Sequence, residues 1–194
     1  VDMLPPASPE GEWTVDWDAL ETALDGGGLL VLVNPHNPLG KVYRKEELVR
    51  IAELAAEHGV RVFADEIHSP LCYAPHQHVP FASVSPIAAQ VALTAFAATK
   101  AFSIPGTKAS ALILTNPDDL RLWKQYAEHL EFGTATSGFV ATAAGLTSAA
   151  PWLNTAKEYL RTNRDLVFEL VHTHLPGAKF HLPEATYLAW LDLT

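Results

Sequence analysis

Leu29-Leu30-Val31-Leu32-Val33, followed at once by Asn34-Pro35-His36-Asn37-Pro38-Leu39-Gly40, is the stretch that decides the fold. Five apolar residues in a row, without alternation, form the pattern of a strand covered on both faces, as in mainly parallel sheets. The pattern returns at VRVFA (60–64), which runs into Asp65-Glu66-Ile67-His68-Ser69, and at VALTAF (91–96), which runs into AATKAFSIPGTK (97–108). A shorter run, ALIL, lies at 111–114. Helical periods separate these runs. Residues 15–24 carry acidic side chains near their start. Residues 45–58 place Leu48, Ile51, Ala52, Ala55 and Ala56 on one side and stop at Gly59, where a C′ glycine belongs. A third helix is expected over 118–130, behind an Asn-Pro. Strand, helix and strand in alternation predict an α/β sheet with helices on its faces.

The last third differs. Residues 134–150 are small and uncharged. Residues 155–175 read as one long amphipathic helix ended by Pro176-Gly177, and 179–193 as strand, turn and strand broken at Pro183. This predicts a large domain over 1–154, with 155–194 forming an interdomain helix and the start of a small α+β domain.

The composition narrows the function. Of the 194 residues, 48% are hydrophobic and 18% charged, which is a globular balance. A net charge of −9 argues against broad nucleic-acid binding. One cysteine, Cys72, excludes a disulfide scaffold or a Cys-rich zinc site and fits a reducing, cytoplasmic setting. No apolar run approaches membrane-span length, and VDMLPPASPEGEW has no signal-peptide pattern.

Ligands of open α/β sheets bind beyond the carboxyl ends of the strands, so the polar clusters after each run are the candidate site. A strand ending in Asp-Glu suggests a nucleotide hydrolase, but the only Gly-Lys, Gly40-Lys41, lacks the upstream glycine and the following Ser or Thr of a P-loop. Among the nine histidines, the pairs 76/78 and 172/174 have spacings that suit surface or capping roles better than a metal. Asp65 and Lys100 each follow a buried strand, where a lone charge is costly. They form either a structural ion pair or part of a site with a lysine nucleophile for a carbonyl.

Taken in order, NPHNPLG, ADEIHS and TKAFSIPGTKAS resemble the fold-type I pyridoxal phosphate enzymes of the class I/II aminotransferase family. With the HVPF of residues 78–81, they resemble its MalY/PatB-like branch of cystathionine β-lyases, the carbon–sulfur lyases. Residues 13–24 and the segment ATYLAWLD (185–192) are also similar to the family's. The resemblance implies an aspartate-aminotransferase-like fold of three layers, α/β/α, with a mostly parallel sheet, and a segment from the middle of a longer chain.

The resemblance also implies roles. Lys100 matches the lysine that holds the cofactor as an internal aldimine and then acts on the Cα proton. Asp65 matches the partner of the pyridine nitrogen, and Ile67 would pack on the ring face. His68 and Asn37 match residues that meet the cofactor's phenolic oxygen, while Thr99 and Lys108 match phosphate-binding positions. Two positions depart from the pattern. Ala97 stands where a phosphate-binding Ser is usual, so a hydrogen bond is lost unless Thr99 or Thr94 replaces it, and Ser103 stands where Asn is common. The implied reaction is β-elimination from a sulfur-containing amino acid. The alternatives are an aminotransferase using a 2-oxo acid and, remotely, a non-catalytic domain that senses pyridoxal phosphate. A homodimer acting on a small amino acid is implied, with neither nucleic acid nor membrane as partner.

Overall fold

The computed structural model describes residues 1–6, 11–130 and 133–194. Its elements run β1 (Met3–Leu4), β2 (Thr14–Val15), α1 (Trp17–Leu24), β3 (Gly28–Val33), α2 (Lys45–Glu57), β4 (Val60–Asp65), α3 (Pro86–Val91), β5 (Ala92–Phe96), β6 (Ala111–Leu114), α4 (Pro117–Leu130), α5 (Thr136–Ser148), α6 (Ala150–His174), β7 (Lys179–Phe180) and β8 (Leu191–Asp192). The central sheet has the order β3-β4-β5-β6. Its first three strands are parallel, and β6 returns antiparallel to β5. The chain is thus of the α/β class expected from its apolar runs.

Local chemistry explains the helix ends. The carboxylate of Asp16 accepts the amide of Ala19 at 3.0 Å and opens α1. At α2, Glu47 Oε2 reaches back to the amide of Arg44 at 2.7 Å, one arm of a capping box. Gly59 follows the C-cap His58 with φ +66°, the left-handed conformation that ends helices. Ser85 accepts from the amide of Ala88 and Pro86 takes the first turn of α3.

Strand parity sorts the side chains onto two faces. Leu32, Val60, Val62, Ala64 and Ala92 share one face and pack with Leu48, Ile51, Ala52 and Ala55 of α2, Leu20 and Leu24 of α1 and Ala88 of α3 in one buried cluster. The opposite face carries α4. There Leu93, Leu112 and Leu114 line a shallow apolar cavity with Leu122 and Tyr126, and Arg61 forms a two-pronged ion pair with Asp119. Helices therefore lie on both faces. Coverage by α4 stops short of β3, where Leu29 and Val31 are 59% and 58% exposed. The expectation of strands covered on both sides holds for β4 but not for the outward face of β3.

The helices differ from expectation in three places. Residue 91 closes α3 instead of opening the strand. The small, uncharged segment is a helix, α5. The long helix α6 begins at Ala150, runs to His174 and crosses the 154/155 position. Beyond it, β7 and β8 form an antiparallel pair with the register Lys179↔Asp192.

Candidate active site

The register Val33↔Asp65 and Asp65↔Ala95 aligns the carboxyl ends of β3, β4 and β5 on one sheet edge. The ladder continues one residue further, with the amide of Asn34 on Asp65 O at 3.0 Å and that of Glu66 on Ala95 O at 2.9 Å. The polar clusters that follow therefore start side by side. Residues 97–110 connect β5 to its antiparallel neighbour β6, with Phe96 opposite Ala111. This loop leaves and re-enters the sheet at the same edge, so Thr99 and Lys108 both belong to it.

Asp65 Oδ1 accepts the amide of Ile67 at 3.2 Å, which turns the chain sharply after β4 and carries His68 back under the edge. His68 is only 2% exposed, and its Nδ1 is buried without a partner. Burial pushes its imidazole below the usual histidine pKa, the Lys100 ammonium pushes the same way, and the Asp65 carboxylate pulls it back. Asp65 and Lys100 thus each lie within electrostatic reach of His68. Among the described residues, Lys100 Nζ forms no hydrogen bond or salt bridge, so the direct Asp65–Lys100 ion pair left open by the sequence is not formed. The half-buried lysine sits in a tight turn, in which the amide of Phe102 donates to Ala98 O at 3.0 Å and that of Ile104 to Thr99 O at 3.1 Å.

The other expected residues are placed as follows. Asn37 is exposed on the turn after β3. Its neighbour Asn34 is fully buried and structural, with Oδ1 accepting the amide of Tyr43 at 3.3 Å. Thr99 is half-buried, and Lys108 is exposed in a left-handed conformation, φ +52°. Ala97 is buried, at 6% exposure. Thr94 cannot replace the hydroxyl lost at Ala97. It pairs in register with Ala64 and so faces the α2 side of the sheet, away from Asp65, where its Oγ1 is buried unpaired. Cys72 is buried and burial pushes its thiol up to about 11, so it is no nucleophile at neutral pH. Among the described residues, no group of three His, Cys, Asp or Glu could hold a metal ion.

Two structural supports were not visible in the sequence. Glu66, 5% exposed, accepts the amide of Phe81 at 2.7 Å and pairs with His78 Nε2 at 3.0 Å, which pins the 66–81 loop behind His68. Residues 183–187 form a strap across both site loops. Glu184 Oε2 accepts the amide of Val42 at 2.7 Å, Oε1 pairs with Arg44 Nη2 at 2.6 Å, and its carbonyl accepts the amide of Tyr73 at 2.9 Å. Gly40, φ +72°, donates no side chain to this junction: a Cβ there would lie 2.4 Å from Pro183 Cβ and 2.9 Å from Ala185 O. These contacts join residues more than a hundred positions apart, which local patterning cannot report. The only local hint was the acid after Pro183.

Comparison with known proteins places the chain in a family. The family model for aminotransferase class I and II matches residues 4–194. Cystathionine β-lyase PatB of Bacillus subtilis is 38% identical over 190 residues, which is 95% of this chain and 49% of PatB. A PLP-dependent β-cystathionase from Corynebacterium diphtheriae, described as putative, superposes with a TM-score of 0.88 at 36% identity, covering 92% of this chain and 48% of that one. A PLP-bound putative aminotransferase from Clostridium difficile 630 gives the same TM-score at 32% identity, covering 94% and 47%. The chain spans about half the length of the curated relatives it matches. With a matched model over nearly all its residues and an aspartate-aminotransferase-like α/β arrangement, the chain belongs to the class I and II aminotransferase family.

Proposed function

We propose that the protein is a pyridoxal phosphate-dependent carbon–sulfur β-lyase, acting on a sulfur-containing amino acid such as cystathionine. The single observation that carries this reading is that Lys100 and Asp65 both act on His68 at the carboxyl edge of a parallel sheet, with His68 Nδ1 buried and unpaired. That donor set fits the cofactor: an amine outside any ion pair, a carboxylate at the end of the neighbouring strand and, within reach of both, an imidazole held neutral with a ring nitrogen to offer. When bound, pyridoxal phosphate supplies an electron-withdrawing ring that stabilises negative charge at the substrate Cα.

The chain's own residues divide the remaining work. Lys100 Nζ is the amine that holds the cofactor and then moves the proton at Cα. Asp65 sets a negative charge against the ring nitrogen and keeps it protonated. His68 and Asn37 bind the phenolic oxygen, and Thr99 and Lys108 bind the phosphate. Lys108 contributes a point charge without the fork of an arginine. Ala97 leaves the phosphate one hydrogen bond poorer, about 1.5–3 kcal/mol for a charge-assisted bond.

The same residues can serve an aminotransferase, and the likeness to the Clostridium difficile structure favours that second reading. The similarity to PatB and to the Corynebacterium structure supports the lyase as the first. We place the large cofactor-binding part at 1–154 and the interdomain helix and the start of the small domain at 155–194. The same reading makes the enzyme a cytoplasmic homodimer. The test is to give the full-length protein pyridoxal phosphate and cystathionine without any 2-oxo acid. Pyruvate and free thiol support the lyase, whereas turnover only with an added 2-oxo acid replaces it with the aminotransferase.

A further inference from the structure

The strap contains a residue to which the proposed function gives no role. Thr186 is 1% exposed and has φ +70°, a conformation in which a β-branched residue is an outlier. Three hydrogen bonds hold it there. Its amide donates to Leu71 O at 3.0 Å, its carbonyl accepts the hydroxyl of Tyr73, and its Oγ1 accepts the amide of Leu188 at 3.2 Å. Strain that the surroundings over-determine in this way marks a conformation kept for what it presents. What this one presents is Tyr187. The Tyr187 ring stands edge-on to His68, with centroids 5.5 Å apart and planes at 69°. Tyr187 itself is 45% exposed while His68 is 2% exposed, so the tyrosine is the solvent-facing member of the pair.

We propose that Tyr187 is a positioning residue for His68: its ring fixes the plane of the imidazole and shields it from water, and the strained backbone of Thr186 aims it there. An edge-to-face contact fixes orientation as well as area, because the positive rim of one ring meets the negative face of the other. The Asp65 turn and the Glu66-anchored loop hold the backbone beside His68, and Tyr187 is the ring set against its imidazole. The charged groups in reach of His68 are Lys100 and Asp65, and removing an uncharged tyrosine ring removes neither. Its contribution is therefore exclusion of water and not a change of charge. The proposal rests on the proposed function only in giving the oriented imidazole a cofactor oxygen to meet.

The test follows the His68 ring by NMR in the full-length protein with labelled histidine, the signal being assigned by its loss in His68→Gln. Tyr187→Ala is expected to move the His68 titration midpoint up by about half a pH unit or more towards the ordinary histidine value, as water reaches the ring. Tyr187→Phe keeps the ring and is expected to titrate like the native protein. Thr186→Gly, which relaxes the backbone, is expected to fall between them. A Tyr187→Ala midpoint equal to the native one, with native far-UV circular dichroism in both, overturns the proposal. So does a Tyr187→Phe midpoint that moves as far as that of Tyr187→Ala. The cofactor reading fails separately, if the native full-length protein develops no yellow absorbance with pyridoxal phosphate. The His68 titration reports on Tyr187 in either case.

Discussion

Replacing Gly40 by alanine strikes the junction between the cofactor-side loop and the strap. Two costs add at this position. A left-handed φ of +72° costs a non-glycine residue about 1–2 kcal/mol. The new Cβ would also sit 2.4 Å from Pro183 Cβ and 2.9 Å from Ala185 O, and one of those contacts is with backbone that cannot rotate away. Forcing a methyl into a packed contact of this kind costs about 1–3 kcal/mol. Together they predict a loss of about 2–5 kcal/mol. Gly59→Ala is the matched control. Its φ of +66° is nearly the same, but nothing lies within 4 Å of its Cβ, so only the conformational cost of about 1–2 kcal/mol applies. The assay is urea unfolding of the full-length protein, read by tryptophan fluorescence, with midpoints compared at unchanged slope. A Gly40→Ala loss no larger than that of Gly59→Ala would refute the close approach of the strap.

Three other expectations follow from the same contacts. Ala97→Ser restores a hydroxyl at the site edge and should tighten pyridoxal phosphate binding about 10- to 150-fold, the equivalent of ~1.5–3 kcal/mol, in an absorbance titration of the full-length protein. Glu66→Gln leaves one of two buried partners facing an amide NH2, so the urea midpoint should fall by the equivalent of about 1–3 kcal/mol. His68 and His36 both titrate below the histidine value of 6.5 because they are buried. The unfolded chain therefore binds protons that the folded one refuses, so stability should drop as pH falls below 6.5, and His68→Gln should flatten part of that slope. Urea midpoints measured on either side of pH 6.5 read this directly.

Much of the candidate site was legible because its residues follow the ends of strands. Apolar runs mark β3, β4 and β5, and a parallel sheet brings their carboxyl ends together, so Asp65 and Lys100 stood out as charges following buried strands, while the role of His68 came only from the family resemblance. The helix α2 was equally plain, since its period and Gly59 agree. The misses have physical causes. Short α3 merges with the following strand because both are apolar. The helix α5 has no polar face to create a period, and two of its glycines have tertiary reasons: Gly138 lies against Thr107 O and Ala109, and Gly145 against the Phe102 ring. Thr94 read as a spare hydroxyl until register put it on the other face of the sheet. Tyr187 and Glu184 reach the site only through the folded return of the chain, a contact of high sequence separation that no window of sequence contains.

The most direct measurement of the central claim is chemical. Full-length protein is incubated with pyridoxal phosphate, reduced with borohydride, digested and mapped by mass spectrometry. The account predicts one adduct, on the peptide containing Lys100, and none in Lys100→Ala. An adduct on another lysine, or one that persists in Lys100→Ala, would contradict it.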